Sequence, residues 1–105
     1  YSAPFPTEEH KQGARRFPSL IPLFPDNVEV PANREAWEQL RKFDKPFLTA
    51  FSDGDPGAYD LQFQSEVPGA KGQSHVTIQN AMHFTQDDQG EEFARVVIDF
   101  IEANP

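Results

Sequence analysis

The sequence predicts an α/β fold whose centre is two short parallel strands with flanking helices. Two apolar runs carry that reading: Phe47 to Phe51, and Ser74-His75-Val76-Thr77-Ile78. Both are too short for a stable helix, and segments rich in Pro, Gly or Asp bound them. A weak helical pattern over 58–66 lies between them, and a strong one follows. The order is therefore strand, helix, strand, helix, and strands joined in this way run parallel through a right-handed crossover.

The elements follow in chain order. Residues 7–16, Thr-Glu-Glu-His-Lys-Gln-Gly-Ala-Arg-Arg, read as a short polar helix. Thr7 is placed to cap it, acids open it and arginines close it, which suits the helix dipole. A second helix is expected over about 33–43, with Asn33 as its N-cap and Ala36, Trp37, Leu40 and Phe43 at helical spacing. Asp44-Lys45-Pro46 ends it. After the first strand and the weak helix, Pro68-Gly69-Ala70-Lys71-Gly72 makes a turn into the second strand. The final helix puts Phe93, Val96, Val97, Phe100 and Ile101 on one face. Asp88 with Glu91 forms a start signal akin to a capping box.

The bulk properties bound what such a fold can do. The 105 residues carry a formal charge of −8, which argues against nucleic-acid and anionic membrane partners, since both need a basic surface. No cysteine is present, so disulfides and thiolate metal sites are excluded, which fits a reducing compartment. No 18-residue apolar stretch or signal peptide is visible, and a soluble, cytoplasmic location is expected. Hydrophobic residues make up 37% and mean hydropathy is −0.65, low for a free-standing core of this size. Six of the ten prolines fall in the first 31 residues, interleaved with Phe, Leu and Ile. That run is too apolar for a linker and too broken for a long element, so it is expected to pack against something outside this chain. Two parallel strands do not close a sheet, because parallel sheets are covered on both faces. The rest of the sheet is expected from elsewhere, and the opening on Tyr1 suggests a fragment. Residues 1–31 and 32–105 are taken as separate parts.

Two residues carry the chemistry. Ligands of open α/β sheets bind beyond the carboxyl ends of strands, and Asp55 and His83 each lie a few residues past such an end. A carboxylate bonded to one ring nitrogen fixes the imidazole tautomer and leaves the other nitrogen free to take a proton. This is two thirds of a hydrolytic triad without its nucleophile. The bland alternative is a loop aspartate capping a turn and a histidine packed where a helix begins. Asp53 competes with Asp55, but Asp53-Gly54 suits a tight turn in which Asp53 bonds its own backbone. Asp55 is held extended by Pro56. His10 is expected to be solvated and His75 to be a rim or surface residue. His83, Asp87 and Asp88 match no metal-ligand spacing, and Trp37 reads as core. No Gly-x-Gly-x-x-Gly, Walker or Gly-x-Ser-x-Gly sequence occurs, so a serine nucleophile is not encoded here.

The order of short blocks is more specific than any one of them. Tyr1-Ser2-Ala3-Pro4-Phe5-Pro6, Gly13-Ala14-Arg15-Arg16-Phe17-Pro18, Lys45-Pro46-Phe47-Leu48 and Ser52-Asp53-Gly54-Asp55-Pro56 come first. Val67-Pro68-Gly69-Ala70-Lys71-Gly72-Gln73, then His83-Phe84 with Gln86-Asp87, complete the series. Over essentially its whole length the chain resembles the C-terminal portion of the haloalkane dehalogenases. The resemblance implies the C-terminal part of an α/β-hydrolase fold (residues 32–105) plus the end of a helical cap (residues 1–31). It also implies a two-step displacement without a cofactor. An aspartate carboxylate takes the halogen-bearing carbon as an ester, and histidine-activated water then releases the alcohol. Carried over, His83 is the general base, Asp55 its orienting acid, and Phe17, Pro18 and Ile21 line an apolar pocket at the cap edge. The implied partners are a small haloalkane, water, halide and the complementary N-terminal part, which would bring the nucleophile. Met82 stands where the family usually has a small residue, and Gly57-Ala58-Tyr59 replaces the more usual Ile-Thr. The rival readings are a related α/β-hydrolase and a non-catalytic fragment. An epoxide hydrolase, for example, needs cap tyrosines, and this segment has only Tyr1 and Tyr59.

Overall fold

The computed structural model describes residues 2–56 and 59–105. The chain forms two compact units, Tyr1–Trp37 and Glu38–Pro105.

The first unit is built from short turns. A 3-10 turn, Glu9–Lys11, leads into α1, Gln12–Arg16, and a second 3-10 turn, Phe17–Leu20, follows. The single helix expected over 7–16 is thus broken in two. Thr7 does not cap it: its hydroxyl lies 2.8 Å from Nδ1 of His10, which is exposed. The order in this stretch comes instead from Glu8, whose carboxylate meets Lys11 Nζ at 2.6 Å and Arg15 as well. Lys11 and then Arg15 hold that carboxyl below the usual glutamate range. The Pro-interrupted run beyond leaves Phe17, Leu23, Phe24 and Val28 largely exposed.

Helix α2, Val30–Leu40, begins in the first unit and ends in the second. It starts ahead of the expected Asn33. Asn27 prepares it, with its side-chain oxygen accepting the Glu29 N–H at 2.9 Å. Pro31 then sits in the first turn, where a missing N–H costs no helical bond.

In the second unit, β1 (Ala50–Ser52) and β2 (Val76–Ile78) pair in parallel with Ala50 opposite Val76 and Ser52 opposite Ile78. Helix α3, Asp60–Glu66, connects them, and α4 (Thr85–Asp88) and α5 (Gly90–Ala103) follow. This is the predicted strand–helix–strand–helix order, with shorter strands than the apolar runs suggested. The reason is where the backbone donors go. Phe47 N–H bonds Gly69 O at 3.0 Å and Thr49 N–H bonds Nδ1 of His75 at 3.1 Å, so neither donor joins the ladder, whose first bond runs from Val76 N–H to Thr49 O at 3.1 Å.

His75, expected as a rim or surface residue, is half-buried and makes structural bonds through both ring nitrogens. Its Nδ1 accepts from Thr49, its Nε2 donates to the Ala70 carbonyl at 2.9 Å, and Gln64 donates to the Thr49 hydroxyl at 2.9 Å. An N–H donor on one ring nitrogen and a carbonyl on the other are satisfied together by the Nε2–H tautomer. Removing the ring leaves Thr49 N–H, in a residue only 3% exposed, without this partner, while the carbonyl of buried Ala70 keeps the Gln73 N–H at 3.1 Å. We expect His75→Ala to cost about 1–3 kcal/mol, the cost of one orphaned buried donor. A lower denaturant midpoint at unchanged slope would show it.

The fully buried apolar side chains are Val67, Ala70, Ile78 and Ala81, and a chain of aromatic contacts extends this core. Phe47 meets Phe43 edge-on at 6.2 Å between centroids and stacks on Phe63 at 5.7 Å, and Phe63 stacks on Phe51 at 6.4 Å. The apolar stripe of α5 is split. Phe93, Val96 and Phe100 are half-buried, while Val97 and Ile101 are exposed.

Candidate active site

Parallel pairing brings the carboxyl ends of β1 and β2 to the same rim, and the loops that leave them are tied to each other. Asp53 N–H extends the ladder to Ile78 O at 3.0 Å, and Gly54 N–H reaches Ala81 O at 3.0 Å. Gly54 is needed for that approach, since a Cβ there would lie 2.7 Å from the Ala81 carbonyl oxygen and 2.5 Å from Met82 Sδ. The Ser52 hydroxyl donates to Met82 O at 2.8 Å, and Asp88 Oδ2 accepts the Met82 N–H at 2.8 Å. Asp88 therefore braces the loop before the helix, and α5 begins at Gly90 with no side-chain cap.

Asp53 does more than shape its own turn. Its carboxylate accepts the N–H groups of Asn80 at 3.1 Å and Ala81 at 3.2 Å, on the opposite loop. These donors, Asn80 first, hold its carboxyl below the usual aspartate range. Asn80 has φ of 58°, a left-handed conformation that asparagine tolerates better than most residues.

His83 follows directly on this braced segment. Its Nδ1 stands 3.5 Å from Asp55 Oδ1, with the Asp55 side chain 16% exposed and that of His83 71% exposed. The Phe84 ring lies edge-on to the imidazole, 5.3 Å between centroids. A separation of 3.5 Å is at the outer limit of a hydrogen bond, and such contacts commonly tighten only when substrate is bound. With Nδ1 on the acid, Nε2 is the nitrogen left for proton transfer. An aspartate and a histidine are thus brought together from the loops beyond both strand ends.

Phe17, Pro18 and Ile21, expected at a cap edge, fall in the other unit. Phe17 and Pro18 open the 3-10 turn and Ile21 follows it, all three with exposed side chains. Met82 does not crowd the loop out of shape: it is 61% exposed, and its backbone is bonded on both sides. Gly57 and Ala58 lie outside the described residues, and Tyr59 is exposed. A cleft of about 320 Å³ lies between α5 and the start of β2, lined in part by Leu48, Val76, Val96 and Phe100. It includes neither member of the pair. Among the described residues, no three His, Cys, Asp or Glu side chains are grouped to hold a metal ion, and no helix is long and apolar enough to cross a membrane.

No family model matches the chain. Individual relatives do. It is 50% identical over 107 residues to a haloalkane dehalogenase of Psychrobacter cryohalolentis, covering all of this chain and 35% of that protein. It is 47% identical over 100 residues to a haloalkane dehalogenase of Mycobacterium marinum, covering 93% of this chain and 33% of that protein. A protein named haloalkane dehalogenase 1, from Mycobacterium tuberculosis, is 47% identical over 105 residues, covering 98% of this chain and 35% of that protein. The chain spans about a third of the length of these relatives. Over its whole length, it is similar to the C-terminal third of the haloalkane dehalogenases.

Proposed function

We propose that this chain supplies the base and the orienting acid for hydrolytic dehalogenation of small haloalkanes. The observation that carries the reading is the 3.5 Å approach of His83 Nδ1 to Asp55 Oδ1 at the shared rim of two paired parallel strands. The similarity to haloalkane dehalogenases supports the substrate class.

The reaction divides at the nucleophile. An aspartate carboxylate contributed by the upstream part attacks the halogen-bearing carbon, the carbon–halogen bond breaks, and halide leaves. An alkyl–enzyme ester remains. His83 Nε2 then takes a proton from water, and the resulting hydroxide attacks the ester carbonyl. Collapse releases the alcohol and returns the free carboxylate, and the imidazolium then gives its proton to solvent, which restores the base. Asp55 holds the ring by Nδ1 and stabilises the imidazolium that forms during that step. Phe17, Pro18 and Ile21, at the end of the cap, give an apolar wall that keeps bulk water from the first displacement. No cofactor takes part.

Because the nucleophile is not encoded here, the 105-residue chain alone is expected to release no halide from 1,2-dibromoethane or 1-bromobutane. Joined to the upstream two thirds of the enzyme, it is expected to turn both over. Halide titration checks this, and turnover by the chain alone would overturn the division of labour.

A further inference from the structure

We propose that Asp53 is the positioning residue for His83, a second carboxylate that grips the backbone leading to the base while Asp55 holds its ring. This rests on the reading of His83 as the base and extends it to a residue outside the acid–base pair.

The geometry is specific. Two successive N–H groups, of Asn80 and Ala81, converge on one carboxylate from the neighbouring loop, at 3.1 and 3.2 Å. Successive backbone donors next to a left-handed residue form an anion-binding concavity, and Asn80 is such a residue at φ 58°. Here the anion is part of the protein. The gripped residues immediately precede Met82 and His83, so little chain separates the clamp from the imidazole. Among the described residues one other carboxylate ties this segment, Asp88 through the single Met82 N–H at 2.8 Å, and the remaining ties are neutral. The bond from Gly54 N–H is backbone to backbone, and the Ser52 hydroxyl makes a single neutral bond. Asp53 brings charge to residues 80 and 81, and charge-assisted bonds are about twice as strong as neutral ones. With the His83 side chain largely exposed, its aim depends on the backbone beneath it. Asp55, the clamp and the Asp88 bond to Met82 together define that aim, and the clamp alone holds two successive N–H groups.

The role follows in kinetic terms. Misplacing a reacting group by about an ångström can cost as much as a hundred-fold in rate. His83 acts on the ester and not on the carbon–halogen bond, so loosening its loop slows the second step and spares the first.

The test uses the complete enzyme, this chain joined to its upstream two thirds, carrying Asp53→Asn or Asp53→Ala. Rapid-quench measurement is expected to show a halide burst of wild-type size in both variants. The steady rate should then fall between about ten-fold and a hundred-fold, with ester accumulating. A merely structural loss would shrink burst and steady rate together, and that result, like a steady rate within two-fold of wild type, overturns the proposal. NMR supplies the second measurement. The amide signals of Asn80 and Ala81 should shift together as pH falls, with a midpoint below the usual aspartate range, and Asp53→Asn should abolish that shift. Independent behaviour of the two amides overturns the clamp itself. Wild-type alcohol release by His83→Ala overturns the base assignment and the positioning role with it. In that case the paired amide shift would still be seen, which distinguishes the two failures.

Discussion

In the complete enzyme, His83→Ala releases one halide per active site and then stalls. The argument turns on which bond needs the base. Displacement of halide by a carboxylate requires no proton transfer, so alkylation proceeds without the imidazole. Hydrolysis of the ester does require it, because water must lose a proton as it attacks. General base assistance contributes about 10²–10⁴-fold, and steady turnover should fall by that factor while the ester survives long enough for mass spectrometry. An intact protein heavier by one alkyl group, with the added mass on a peptide upstream of this chain, is the expected observation. Normal steady halide release with no adduct would remove His83 from the mechanism. Asp55→Asn should lie between the two cases, because the asparagine still offers a partner to Nδ1 yet no longer stabilises the imidazolium.

That expectation was available from the sequence, and the reason is topological. An acid and a histidine beyond the ends of consecutive strands need only parallel pairing to meet, and the apolar runs, the turn residues and the amphipathic last helix all imply it. The Ala50–Val76 register confirms the pairing. What sequence could not supply was the fate of individual polar groups. Thr49 N–H bonds His75 Nδ1 instead of the partner strand, so the strand is shorter than its apolar run and a histidine expected at the rim or surface is also a structural link. Asp53 follows the same logic. Its Asp-Gly dipeptide signals a tight turn, and that signal is local, whereas its carboxylate bonds residues 80 and 81 on another loop. Asn33 and Thr7 misled for a related reason. Capping residues are identified by type, but Asn27 and Glu8 had already satisfied the donors or charges nearby. Cross-chain hydrogen bonds have no periodicity, so no pattern in the sequence announces them.

Gly69→Ala is expected to unfold the second unit. Gly69 is buried and makes backbone bonds on both sides: its N–H donates to Phe43 O at 2.9 Å, and its carbonyl accepts the Phe47 N–H at 3.0 Å. The segment from Phe43 to Phe47 therefore wraps directly over it. A Cβ there would run into the Lys45 carbonyl oxygen, which is backbone and has no rotamer by which to retreat. Relief would have to break both hydrogen bonds and draw Phe43 and Phe47 away from Phe63, dismantling the aromatic contacts beside β1. Overpacking of this kind costs about 1–3 kcal/mol and sometimes more, and losing the two bonds adds about 1 kcal/mol each. A loss of about 3–5 kcal/mol rivals the whole stability of a marginal domain, which is about 5–15 kcal/mol. Gly13→Ala is the control. Gly13 lies in α1, and a methyl group added to it would meet nothing within 4 Å, so alanine there should stabilise the helix by about 0.5–1 kcal/mol. Denaturant melts of both variants should diverge in opposite directions from wild type. A Gly69→Ala midpoint at or above that of wild type would mean that residues 43–47, which lead into β1, do not lie over Gly69 as described.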